Sequence, residues 1–185
     1  MSIKENIINK LLDDENTVDF EQNISFINEI KDDPEAIKIL LVLLQSSSAE
    51  RQNRIYGMLV NFSKTSLPEI ASALSLGGSL WRHRILEVMW GIINVTDEAQ
   101  WEEVFHSVKV RVLELLSDRE WIPQQLEDPI EIEYRLRVCD DAYLFCQSLL
   151  DHEYDESDFL DMDEELRNRE IETLKSRINN NILIS

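Results

Sequence analysis

Asp151, Glu153 and Asp155 occupy alternate positions in Asp151-His-Glu-Tyr-Asp-Glu-Ser157, the spacing at which a calcium loop offers oxygen ligands from its first, third and fifth places. Such a loop needs glycine at its sixth place and a bidentate glutamate at its twelfth; this chain has Glu156 and Met162 there. The cage is left unclosed, so no metal or other cofactor is expected. The carboxylates run on past it. Between Asp151 and Glu165 stand nine of them (Asp151, Glu153, Asp155, Glu156, Asp158, Asp161, Asp163, Glu164 and Glu165), with no Lys or Arg. So dense a field resists burial, so the segment must be solvated, neutralised by cations, or kept for a basic partner.

Other reactive residue types are sparse. His83, His106 and His152 lack a second His or Cys three or four residues away, the arrangement from which zinc ligands converge. Cys139 and Cys146 read as two positions of one helix, about two turns or roughly 10 Å apart, too far for a disulfide. Both read as mid-helix thiols, and Cys139 precedes Asp140 and Asp141, which opposes a thiolate. Two reduced, buried thiols fit a reducing compartment. Neither a glycine-rich phosphate loop nor a nucleophile elbow is found. The expectation is a protein that is not an enzyme.

The whole chain shares the acidity of that segment. Its 185 residues carry 18 basic and 37 acidic side chains, a formal net charge of -19, yet 43% of residues are hydrophobic. That fraction supports a core. The excess is uneven: residues 1–92 hold 9 basic and 13 acidic side chains, residues 93–185 hold 9 and 24. Such a field repels phosphate backbones and anionic lipids and speeds encounter with basic proteins. Nucleic acid and membrane are therefore not expected as partners. No apolar run reaches the roughly 20 residues of a membrane span, and Met1-Ser-Ile-Lys-Glu-Asn6 has no signal-peptide pattern. A cytoplasmic location is expected.

Helices must position these residues, because four Gly and four Pro leave few breaks and the apolar spacing is three and four, as in Ile37, Leu40, Leu41, Leu44 and Val138, Ala142, Phe145, Leu149. Asp33-Pro34, Ser66-Leu-Pro-Glu69 and Thr96-Asp-Glu98 supply helix starts. Gly77-Gly78 supplies a stop. The pattern predicts an all-α chain of about nine helices over 3–13, 19–31, 34–46, 49–64, 67–76, 79–94, 97–117, 130–150 and 163–180, with a Pro-bounded connector over 118–129 that holds Trp121. The last helix, within 163–185, reads as a cap.

Three apolar helices align on an arginine: Arg51-Gln-Asn-Arg54-Ile55, Trp81-Arg-His-Arg84-Ile85 and Tyr134-Arg-Leu-Arg137-Val138. Arg54, Arg84 and Arg137 fall in register. The arrangement, with Asp128-Pro129 ahead of Arg135 and Arg137, resembles the second helix of a HEAT-type repeat. The turns at Ser46-Ser-Ser48 and Gly77-Gly78 depart from it by lacking the aspartate. The resemblance covers 34–150 and implies one domain over 1–185, a right-handed stack of antiparallel helix pairs in which neighbours complete each other's core. In that stack Arg54, Arg84 and Arg137 would be structural, bridging repeats through carboxylates such as Asp128, Asp140 and Asp141.

Glu133-Tyr-Arg-Leu-Arg-Val-Cys-Asp-Asp-Ala-Tyr143 is similar, more narrowly, to HEAT-like bacterial immunity proteins of polymorphic or contact-dependent toxin systems. That likeness implies a monomer that binds and neutralises a cognate basic, nuclease-like toxin. The expected contact set is Asp151, Glu153, Tyr154, Asp155, Glu156, Asp158, Asp161 and Asp163, with Trp121 as an exposed aromatic anchor. A HEAT-like adaptor or assembly factor for an endogenous partner is the second reading. A helical-repeat glycosylase or lyase is the third, and it would need a basic surface sharply segregated from the acidic one.

Overall fold

Asp33 opens helix α1 (Pro34–Ser46): its Oδ1 accepts from the Glu35 amide at 2.9 Å, and Pro34 fills a first-turn position where no amide is required. The computed structural model describes Lys4, Glu5, Ile8, Asn9, Leu12, Asn28, Ile30 and residues 33–123, 135–150 and 154–180. Among these the chain is mostly helical. After α1 come α2 (Ala49–Leu59), α3 (Leu67–Ser72), α4 (Ser79–Asn94), α5 (Trp101–Leu115), α6 (Val138–Leu150), α7 (Glu156–Leu160) and α8 (Glu164–Asn179). Short 3-10 turns lead into α3 and α5 and follow α3. Lys4, Glu5, Ile8, Asn9, Leu12, Asn28 and Ile30 are helical as well.

The helix starts are built as their sequence suggests, with one exception. Asp97 accepts from the Ala99 amide at 3.0 Å, and Asp163 from that of Leu166 at 2.9 Å. Ser66 makes no side-chain cap; a 3-10 turn feeds α3 instead. Gly77 has a packing reason for being glycine. A Cβ there would land on the Trp81 indole, whose Nε1 donates to Ala73 O at 2.8 Å.

Consecutive helices pack in pairs, α1 with α2, α3 with α4 and α5 with α6; α1 also meets α3, α3 meets α5, α2 meets α4, and α4 meets α6. One apolar cluster runs through all of them, from Ile8 and Leu40 through Ile55, Ile85 and Val108 to Phe145 and Ile178. α8 packs against α6 and buries Ile171, Leu174 and Ile178, the former two a turn apart. No helix among the described residues is long and apolar enough to cross a membrane.

Two expectations need correction. The helix predicted to begin near 130 begins at Val138, and Arg135, Leu136 and Arg137 precede it in non-helical backbone. Arg137 forms an isolated antiparallel bridge with Trp121. Around that bridge the Ile122 amide donates to Leu136 O at 3.0 Å, Val138 to Glu120 O at 2.9 Å and Cys139 to Asp118 O at 2.9 Å. The connector is thus an extended strap, and these bonds occupy the backbone that a longer α6 would need. In consequence Arg54 and Arg84 lie inside helices while Arg137 lies outside one, so their common register in sequence is not a common place in structure. The second correction is α7, a short helix where the sequence reads as acidic linker.

Candidate functional site

Arg137 lies 1% exposed and Asp140 0% exposed at the start of α6. Its Nε and Nη2 donate to Asp140 Oδ2 and Oδ1 at 3.0 and 2.7 Å, and its own amide donates to Oδ2 at 2.9 Å. Nη1 reaches α8, donating to Glu164 Oε1 at 2.8 Å and Asn168 Oδ1 at 3.0 Å. Arg167 adds a 3.3 Å bond to Asp140 Oδ2. Arg119, on the strap, donates to Asn168 Oδ1 at 2.6 Å and to Cys139 Sγ at 3.2 Å. This network ties strap, α6 and α8 together, and it pairs the buried Arg137 and Asp140 charges with each other.

The other arginines divide. Arg54 donates to Glu50 Oε1 at 2.8 Å within its own helix and to Leu12 O at 2.9 Å. Arg82 pairs with Asp118 and, at 3.1 Å, with Glu120. Asp141 pairs with a histidine: its Oδ2 lies 2.9 Å from His83 Nδ1. That bond raises the His83 pKa above its ordinary value, against the cost of burial, with Asp141 and Glu87 adding attraction and Arg84 opposing. Arg84 itself has no carboxylate partner among the described residues. Asp128, proposed as a partner for Arg137, lies outside the described residues, as do Asp151 and Glu153.

The acidic segment is anchored by aromatic packing. Phe159 of α7 is fully buried and stacks on Tyr143 with ring centroids 4.2 Å apart; Tyr154 meets the same ring edge-on at 6.1 Å. Tyr154 was expected to anchor a partner. It is half-buried against its own chain, and burial pushes its hydroxyl pKa up. Asp155 has an internal duty as well, accepting from the Ser157 amide at 2.9 Å and hydroxyl at 2.7 Å, bonds that hold its carboxyl below the usual range. Asp155, Glu156, Asp158, Asp161, Asp163, Glu164 and Glu165 are all exposed. Trp121 is 40% exposed, but its ring already carries the Arg135 and Arg137 guanidiniums at 5.4 and 5.8 Å from its centroid.

Cys139 is the second residue of α6 rather than a mid-helix one. Burial raises its pKa, with Asp140 adding to the effect and Arg137 and Arg119 opposing it. Cys146 is buried, and its pKa is raised by burial alone.

Beside α7 a groove of about 260 Å³ opens between α4 and α6. Its walls are mainly apolar, with Leu86, Trp90, Leu144, Phe145 and Leu160 among them, and Glu87, Asp141 and Glu156 stand on it. Across α4 lies a second groove of about 360 Å³, where Gln52, Asn53, Tyr56 and Arg84 surround Leu44 and Val88. Glu87 lines both. Sequence reasoning missed these grooves because each draws its wall from three or more separate elements, and no sequence signal marks them. No protein-family model, curated protein or solved structure matches this chain.

Proposed function

We propose that the chain is a non-catalytic binding protein that captures one basic protein partner on its acidic C-terminal surface, in the manner of HEAT-like immunity proteins that neutralise a nuclease-like toxin domain in the cytoplasm. The observation that carries this reading is the display of Asp155, Glu156, Asp158, Asp161, Asp163, Glu164 and Glu165 on an arm fastened by the Phe159–Tyr143 stack. A fixed array of exposed charge produces a directed field, which speeds encounter with an oppositely charged surface and repels phosphate.

The architecture in this proposal is a right-handed stack of three antiparallel helix pairs, α1/α2, α3/α4 and α5/α6, with α8 as its cap. Supporting it is the order of packing: first helices meet first helices and second helices meet second helices along the chain.

The test is kinetic. The C-terminal domain encoded by the adjacent gene is captured on a surface, and association of the wild type is compared with that of the Glu156→Lys, Asp158→Lys double variant across salt concentrations. Asp155 is spared because it caps α7. The expected result is slower association with a flatter salt dependence, since exposed charges act over about 8 Å at physiological ionic strength. Association unchanged at every salt concentration would reduce the acidic arm to a solvated connector. Binding of an endogenous protein in place of the adjacent domain would make the chain an adaptor.

A further inference from the structure

We infer that the face shared by α2, α4 and α6 is where a short segment of the partner docks: an apolar side chain flanked by lysine or arginine enters the groove between α4, α6 and α7, and a carboxylate of the same segment reaches Arg84. This rests on the reading above that the partner is basic, and adds where it is held and by which side chains.

Charge complementarity selects the occupant. Glu87, Asp141 and Glu156 surround the first groove. They come from α4, α6 and α7, so a cation beside the groove meets a negative group from every wall. Asp141 is held by His83, and Glu87 lies 3.7 Å from the His83 Nε2, so both stay fixed on the rim. Glu156, at the exposed first position of α7, extends the acidic arm to the groove itself. A volume of about 260 Å³ equals that of several waters at about 30 Å³ each, enough for one leucine or phenylalanine side chain. An apolar pocket with a charged rim is the setting in which one buried anchor supplies affinity while the rim supplies orientation.

Arg84 gives the bound segment a direction. Basic residues are outnumbered two to one in this chain, yet this half-buried guanidinium has no carboxylate partner among the described residues, while Arg54, Arg82 and Arg137 each have one. It lines the second groove with Gln52, Asn53 and Tyr56, side chains that donate or accept. A planar guanidinium facing such a groove suits a carboxylate. Because Glu87 belongs to both grooves, a chain crossing α4 passes from a site for anions to a site for cations within a few residues.

The probes are three fluorescent synthetic peptides, measured by anisotropy on the full chain. The first carries a leucine pair one helical turn apart, flanked by lysines and ending in an aspartate; the second has glycines for the leucines; the third has asparagine for the aspartate. The first should bind at least about tenfold more tightly than the second, as burial of an apolar side chain requires, and more tightly than the third. Ser148→Phe, which fills the groove from its half-buried wall, should remove the leucine preference. Leu136→Gln, at the groove's lip, should weaken that preference without touching the backbone bond of residue 136. Arg84→Gln should equalise the first and third peptides.

Equal binding of the first two peptides by the wild type overturns the groove assignment, as does a leucine preference that persists in both groove variants at unchanged melting temperature. Inorganic phosphate displacing the peptide from the wild type but not from Arg84→Gln would make Arg84 a general anion site and overturn the carboxylate part. Self-association that excludes the peptide would assign the face to a second copy of this chain and overturn the proposal. Failure here is separable from failure of the broader reading: if the acidic arm loses no association on reversal, the basic partner is wrong, whereas a sensitive arm with no leucine preference leaves that partner and removes this docking face.

Discussion

Arg137 and Asp140 meet through two parallel bonds, Nε to Oδ2 at 3.0 Å and Nη2 to Oδ1 at 2.7 Å, with both side chains cut off from water. Asp140 also receives the Arg137 amide, so one carboxylate fixes both the side chain and the backbone at the entry to α6. Truncating either partner takes the two-bonded partner from a buried charge, leaving Asp140 only Arg167 or Arg137 only Glu164. Arg137→Ala and Asp140→Ala should each cost roughly 3–5 kcal/mol, whereas Arg169→Ala, which breaks the exposed pair with Glu165, should cost under about 1 kcal/mol. Denaturant unfolding of the three variants gives the comparison, and equal effects would refute the network.

Gly57 and Gly91 lie in neighbouring helices and should respond oppositely to alanine. A Cβ on Gly57 meets nothing within 4 Å, so Gly57→Ala should stabilise by about 0.5–1 kcal/mol through helix propensity. On Gly91 it would collide with Val60 Cγ1 and lie 3.1 Å from Tyr56 Oη, where α4 approaches the end of α2. Overpacking there should cost about 1–3 kcal/mol. Thermal unfolding reads both signs.

His83 should make part of the stability depend on pH. The Asp141 hydrogen bond raises its folded pKa above the ordinary 6.5, so the protonated ring contributes stability that is complete below the unfolded value. That contribution is lost as pH rises through the raised folded value. The charged groups facing the ring are Asp141 from α6 and Glu87 and Arg84 from its own helix. The gap in melting temperature between wild type and His83→Gln should therefore narrow from mildly acidic to alkaline pH. A gap that widens would mean that the neutral ring is the bound form.

Neither thiol should react quickly in the folded chain. Burial raises both pKa values, and the thiolate is the reactive species. Titration with an aromatic disulfide reagent should show no fast thiol in the native protein and both after unfolding. A fast Cys139 would mean that the Arg119 contact outweighs burial.

Phe159→Ala should separate stability from charge. Removing the ring that stacks on Tyr143 should cost about 3–5 kcal/mol while leaving the net charge of the arm unaltered. If the fixed geometry of the carboxylates steers the partner, association should slow in this variant under conditions where it remains folded.

The helices α1 and α4 were legible to the residue because their starts carry Asp33-Pro34 and a Gly-Gly break, and their apolar spacing continues unbroken. The start of α6 was not. Arg135, Leu136 and Arg137 suit a helix by type, and only the Asp140 side chain and the strap, both distant from periodicity, pull them out of it. α7 hid for a different reason: among its carboxylates a single buried ring, Phe159, carries the packing, and one apolar residue has no period. Of the expected site, the exposure of the acidic side chains was readable from charge density alone. That Asp155 is spent on a cap, Tyr154 on its own core and Trp121 on two arginines was not, because each of those partners comes from the folded chain.

The strap bonds set Ile122 and Leu136 side by side, since the Ile122 amide donates to Leu136 O at 3.0 Å. A peptide inserted between those residues would start and finish at neighbouring points, so closing a longer loop there costs about 0.6 kcal/mol for each doubling. The chain thereby contains a graft site: a reporter peptide, an affinity tag or a foreign epitope could be carried there while the clamp holds the host on either side.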